Sequence, residues 1–298
     1  MEFIRSNILK DHVSATETIE RDLPTNPLSH LIFTVCGEQA TDEATLAEII
    51  AFINTIEVTQ SGRTIISCQS EDLYGLNAYL YRHLPILTNA ITTDDAIRNL
   101  TLIVPFGRRI FDPAECYPAT KKGELTLRAN MTALATSISD GLINIEAVEL
   151  PGASPTQYLK TTTMTVVAPG ATGDHDVELP IGNRIIAIQV RMVTFPTVTT
   201  DLYGITEMRL LVDNKEFGYA AAKSPCLVGD MIFRLGGLPS TMLLQQLILP
   251  ANIVWLDYAP TDTDDYLLDT AGKSSVKLRL TMGVNEACYV TLFELVSV

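Results

Sequence analysis

The stretch DYAPTDTDDYLLD, residues 257–269, gathers Asp257, Asp262, Asp264, Asp265 and Asp269. Clustered carboxylate oxygens are calcium ligands. The spacing lacks the glycine and the closing glutamate that an EF-hand loop needs at its sixth and twelfth positions. The stretch therefore reads as a solvated acidic loop, and calcium binding at 257–269 stays open. An ion held there would stiffen the loop and take no part in catalysis.

A second candidate is GDHDVE, where Asp174 and Asp176 flank His175. A turn leading into a strand has the same composition, and that is the reading adopted. The chain has only four histidines, His12, His30, His83 and His175, and no two are close in sequence. A bicupin metal centre, with two His one residue apart, is therefore not expected. His30 at a strand start and His83 at a helix end read as structural. The five cysteines, Cys36, Cys68, Cys116, Cys226 and Cys288, are widely spaced and form no C-x-x-C. Most stand in apolar strand-like text and read as buried small hydrophobes, which points to a reducing compartment.

No G-x-S-x-G elbow, phosphate loop or dinucleotide fingerprint is present. No catalytic residue, metal ligand or cofactor is expected. Trp255, Tyr258 and Tyr266 could line a sugar site, but a lone Trp in NIVWLDYA reads first as a core residue.

The elements that would carry such residues are mostly strands. The chain has 298 residues, enough for one large domain or two of roughly 150. Apolar residues make up 47% and charged residues 19%, the balance of a folded globular protein. The net charge is −14, and the longest basic runs are the pairs Arg108–Arg109 and Lys121–Lys122. A phosphate backbone attracts clusters of lysine and arginine, so no direct nucleic-acid contact is expected. No signal peptide is read at the start, and no stretch reaches the ~20 apolar residues of a membrane span.

Residues 1–20 read as a weakly amphipathic helix, with Phe3, Ile4, Ile8, Leu9 and Val13 sharing a face. Such an arm would pack on a barrel or a neighbouring subunit, or touch a membrane surface. DEATLAEIIAFINTI also has a helical period. IEVTQSGRTIISC reads as a hairpin around Ser61–Gly62. SEDLYGLNAYLYRHLP reads as a short helix with Ser70 as N-cap, stopping before Pro85. PGASPTQ, 151–157, is the best linker. The text after it is strand upon strand, rich in Thr, Val and Ile, including EFGYAAA.

The two halves echo each other in order. Asp22-Leu-Pro is answered by Glu178-Leu-Pro, and Ser61–Gly62 by Asp213–Asn214. LYRHLP, with Arg82, is answered by FRLGGLP, with Arg234. LTLIVPFG is answered by LILPANIVWLDYA, GELTLRANMT by KSSVKLRLTM, and INIEAVEL by YVTLFELV. A displacement of about 150 residues in unbroken order indicates tandem copies of one fold, and strands at this density with long connections fit a jelly roll. The expected architecture is all-β: two tandem eight-stranded jelly-roll barrels with short helices in the connections and an N-terminal helical arm. The expected limits are 1–21 for the arm, 22–152 for the first barrel and 153–298 for the second.

With VPFGRRIFDPAE after a strand and the closing LDTAGKSSVKLRLTMGVNEACYVTLFELV, the chain from Leu23 to Val298 resembles a known family. It is similar to the double jelly-roll major capsid proteins of tailless icosahedral DNA viruses, the lineage of membrane-containing phages and adenovirus hexon. The resemblance implies a structural virion protein, not an enzyme. It implies a homotrimer with a pseudo-hexagonal outline, because three two-barrel chains make a ring of six barrels. Implied partners are neighbouring capsomers, minor or penton capsid proteins and, through the N-terminal arm, an inner membrane. The implied location is the virion, after synthesis in the host cytoplasm. A different class stays open: a carbohydrate-binding or spike-like attachment protein on the same barrels. A degenerate bicupin enzyme comes third.

Overall fold

The computed structural model describes residues 2–40, 46–85, 95–168, 170–193, 204–235 and 253–298. The chain divides into two compact units: Met1–Thr162 with Val296–Val298, and Thr163–Leu295. The sequence places the joint between 152 and 153, whereas this division falls inside a strand, between Thr162 and Thr163.

The first unit holds β1 (Ile4–Val13), β2 (Glu17–Asp22), β3 (Leu28–Gln39), α1 (Leu46–Ile50), β4 (Ile53–Gln60), β5 (Arg63–Cys68), α2 (Ser70–Tyr81), β6 (Ile97–Pro105), β7 (Leu125–Met131) and β8 (Ile138–Glu149). One sheet has the order β1-β8-β3-β6, and the other has β2-β7-β4-β5. The first strand thus lies beside the last, and the second beside the seventh. That double winding of eight strands over two sheets is a jelly roll.

The second unit begins inside β9, at Thr163, and runs through β18 to Leu295. Its elements are β9 (Gln157–Val166), β10 (Gly173–Glu178), β11 (Arg184–Met192), β12 (Ile205–Val212), β13 (Lys215–Glu216), β14 (Ala222–Lys223), α3 (Ser224–Arg234), β15 (Ile253–Asp257), β16 (Leu268–Asp269), β17 (Val276–Met282) and β18 (Cys288–Ser297). Its sheet orders are β9-β18-β11-β15 and β10-β17-β12-β13, with β16 on β11 and β14 on β12. Strand for strand, these are the orders of the first unit.

Local chemistry explains the elements. Along β17 and β7 inward residues alternate with outward ones, the period of a strand with one face in a core. Burying each Leu or Val of such a face contributes roughly 1.5–3 kcal/mol. Both repeated hairpin turns are left-handed. Ser61 and Gly62 have φ of 47° and 84°, and Asp213 and Asn214 have 49° and 63°. Two consecutive positive φ values match the twist of the flanking strands, and Gly, Asn and Asp tolerate them best. The helices α2 and α3 are each tied at their first residue to the start of a strand. The Ser70 hydroxyl donates to the carbonyls of Ile50 (2.6 Å) and Ile53 (2.8 Å), and the Ser224 hydroxyl to that of Ile205 (2.5 Å).

Four expectations are corrected. The N-terminal helical arm is two strands: β1 pairs antiparallel with β8 and β2 with β7. Only Leu9 of β1 is buried. Register shifts between Asn7 and Leu9, and between Leu9 and His12, break the alternation and leave an apolar spacing that imitates a helix. Second, the N-cap of α2 is Gln69, whose backbone N–H donates to the Asp72 carboxylate at 3.2 Å; Ser70 is the first helical residue. Third, the helix read up to Ile53 ends at Ile50, and Ile53 opens β4. Fourth, EFGYAAA is two short bridges flanking a turn. The echoes at 236–239 and 247–252, and the helix start at 42–45, lie outside the described residues.

Candidate functional site

The acidic stretch does not converge on one point. Asp257 ends β15 with a nearly buried carboxylate, ion-paired to Arg234 of α3 and accepting from the Ala259 N–H at 2.8 Å. Asp264 pairs with Arg184 of β11 at 2.8 Å. Asp265 accepts from the Thr263 hydroxyl, and Asp269 closes a turn on the Ala271 N–H. Asp262 holds a left-handed φ of 56°. The sequence lists these five together, but the fold spends them on separate tasks. Among the described residues, no group of three or more His, Cys, Asp or Glu side chains is arranged to hold a metal ion.

The GDHDVE candidate is strand β10, and strand geometry separates its members. Asp174 and Asp176 point to one face and His175 to the other. Asp176 forms a two-pronged ion pair with Arg279 (2.6 and 2.9 Å), and that hydrogen bonding holds its carboxyl below the usual range. Asp174 accepts from the Thr281 hydroxyl at 2.7 Å. The remaining histidines are apart as well. His12 meets Glu17, and His83 meets the Tyr81 carbonyl. His30 is buried against Phe111, edge to face at 5.3 Å, with its Nδ1 2.9 Å from the Ser29 hydroxyl oxygen. Burial, with Arg5 nearby, pushes its pKa down to about 4.

Of the aromatic trio, Trp255 and Tyr258 are core residues. The Trp255 indole donates to Gln189 Oε1 at 3.1 Å, and Tyr258 packs edge-on against Tyr219. Only Tyr266 of the three is exposed. A cavity beside Trp255, bounded by Leu227, Met231, Arg234 and Asp257, measures about 10 Å³. A single water needs about that much, so no sugar ring enters.

What the structure does present in duplicate is the scaffold. Asn26 Nδ2 donates to Glu149 at 2.8 Å, and Asn183 Nδ2 donates to Glu294 at 2.9 Å. Each bond ties the loop before the third strand of a barrel to the end of its eighth. Sequence reading aligned the Leu-Pro pairs just before both asparagines and missed the asparagines themselves. The shared Glu-Leu at the end of β8 and β18 was the available signal.

Neither a family model nor a curated protein sequence matches the chain. Solved structures do. The major capsid protein of STIV superposes with a TM-score of 0.75 at 13% identity, over 100% of this chain and 97% of that one. The major capsid protein P2 of bacteriophage PM2 gives 0.67 at 11%, over 100% and 98%. The Faustovirus major capsid protein gives 0.58 at 8%, over 99% and 89%. This chain has the double jelly-roll fold.

Proposed function

We propose that this chain is the major capsid protein of an icosahedral virus: a structural protein, not an enzyme, that assembles as trimers and tiles the virion shell. The observation that carries the reading is the doubling. The same two sheet orders occur in each unit, and the superposition on capsid proteins spans nearly the full length of both partners. Three copies then supply six similar barrels, a pseudo-hexagonal unit that packs edge to edge from one gene.

Neighbouring capsomers and minor or penton proteins are its natural partners in this reading. The −14 charge supports a shell that makes no direct contact with the genome. An inner membrane contact would use the start of β1, where Phe3 is 61% exposed and packs edge-on against Phe111. The protein would be made in the host cytoplasm and reside in the virion.

Electron imaging of the purified protein tests this reading. Three-fold particles with six densities in a hexagonal outline are expected. Monomers or dimers that never form such rings would refute the capsid reading and turn attention to the attachment-protein alternative through glycan binding.

A further inference from the structure

Loop 106–124 joins β6 to β7, and two different devices hold it. Its base is a clasp. The Arg108 guanidinium grips the Glu115 carboxylate from Nε (3.0 Å to each oxygen) and Nη2 (2.9 Å), and the Arg108 N–H donates to the same group at 2.6 Å. Its tip, Ile110-Phe111, rests on β3. The Phe111 N–H donates to Ser29 Oγ at 2.7 Å, and the ring meets His30 and Phe3 edge to face at 5.3 and 5.4 Å. Phe111 has φ of 64°. A bulky side chain in the left-handed region is strained, and it stays there only while surrounding contacts enforce it.

Strand pairing shows what lies beneath the tip. His30, Val148 and Arg5 stand side by side across β3, β8 and β1, on the face turned away from the core. In the next row on that face Ile32 and Glu146 are half-buried, whereas His30 is 2% exposed. Phe111 is its cover. The bonds under the cover depend on charge. Ser29 Oγ accepts from Phe111 and has its own proton to give, and His30 Nδ1 lies 2.9 Å away. A neutral imidazole can take that proton at Nδ1, whereas an imidazolium carries hydrogen on both nitrogens and cannot.

The charged groups on the surrounding elements are few. β1 brings Arg5, paired with Glu146 of β8. Glu149 of β8 is turned to the other face, where Ser6 and Asn26 donate to it. The loop brings Arg108 and Glu115 in their clasp, with Arg109 and Asp112, and β6 sets Pro105 opposite His30. Of these charges, Arg5 acts on the imidazole, and it repels a second positive charge.

We propose that His30 and Ser29 form an acid-released latch: the neutral imidazole clamps the tip of loop 106–124 on β3, and its protonation lets Phe111 lift off and relax while the clasp holds the base. The freed tip carries Ile110 and Phe111 and leaves Phe3 without its aromatic partner, so the apolar surface offered at this end grows in acid. The inference goes beyond the capsid reading and does not depend on it. Proton linkage fixes the sign. Burial, with Arg5, holds the covered imidazole down to about 4, and a released one returns to its ordinary 6.5. The open form therefore binds more protons, and opening becomes roughly tenfold more favourable for each pH unit from 6.5 towards 4.

Hydrogen exchange on the wild-type chain tests this. The rate at the Phe111 amide, divided by that of an unstructured peptide at the same pH, should rise roughly tenfold per unit as pH falls from about 6.5 to about 5. The amides of Arg108 and of Val35 in the core should keep their protection. His30→Gln should abolish the pH dependence, and Ser29→Ala should leave the Phe111 amide exchanging fast at every pH. A corrected Phe111 rate that ignores pH overturns the proposal. So does a rise that survives in His30→Gln, a rise shared by Val35, which is global unfolding, or slow exchange at Phe111 in Ser29→Ala. Should His30→Gln misfold, the wild-type chain and Ser29→Ala decide the matter.

Discussion

Asn183 donates a hydrogen bond to the buried carboxylate of Glu294, and Asn26 makes the same bond to Glu149 one repeat earlier. In both barrels the bond anchors the turn that feeds the third strand to the strand beside it. Replacing Glu294 by alanine leaves the amide of Asn183 without this acceptor and should cost about 1–3 kcal/mol. Glutamine, which keeps an acceptor oxygen, should cost less. Calorimetric melting of both variants checks the order; equal melting temperatures for wild type and Glu294→Ala would refute it.

Gly107 has no room for a side chain, since a β-carbon there would run into the carbonyl of Glu115. Gly107→Ala should push the two sides of loop 106–124 apart, open the Arg108–Glu115 clasp and destabilise the fold by about 1–3 kcal/mol. The expected readouts are a lower melting temperature and faster amide exchange at Arg108 and Phe111. Unchanged exchange would show that the loop absorbs the methyl group.

His30 gives a pH dependence of definite sign. The imidazole titrates near 6.5 when free and at about 4 in the folded protein, because burial disfavours its charged form and Arg5 repels it. Between those values the unfolded chain binds more protons, so this group removes stability as pH falls from 6.5 towards 4 and no more below that. His30→Gln should flatten that part of the acid limb. Urea denaturation at a series of pH values measures it, and an unchanged slope from 6.5 to 5 would sink the assignment.

The cysteines should react in sequence. Cys226 is exposed on α3, and Cys36 is half-buried. Burial pushes the thiols of Cys116 and Cys288 up to about 11 and about 12, and that of Cys68 higher still, so little thiolate forms. Iodoacetamide on the native protein should label Cys226 first, with Cys68, Cys116 and Cys288 reacting only on unfolding. Peptide mass mapping checks this, and rapid labelling of any of those three would contradict their placement.

Much of the fold was legible because turns and alternation are local. The pairs Ser61–Gly62 and Asp213–Asn214 announce left-handed turns by residue type alone, and both are found. Strands such as β7 and β17 show their period directly. β1 was misread because its register shifts make Ile4, Ile8 and Leu9 recur at helical spacing, although β8 supplies its hydrogen bonds. The acidic stretch misled for a related reason. Nearness in sequence grouped Asp257 with Asp264, while the fold gave one to Arg234 and the other to Arg184. The paired Asn–Glu bonds join residues far apart in sequence, and the clasp of Arg108 on Glu115 depends on how one loop folds back on itself; neither has a hydrophobic period or a turn signal to announce it.

The pairing of β1 with β8 joins Ile4 to Glu149. During synthesis the first strand of this barrel must wait for the eighth before its sheet can close, and β9 must likewise wait for β18. Such high contact order makes folding slow. For that interval both edges of β1 are open, able to template the wrong neighbour on a crowded ribosome, and one stays open afterwards because β1 ends its sheet. The exposed charges Arg5, Lys10 and Asp11 along it serve as gatekeepers against that misassembly.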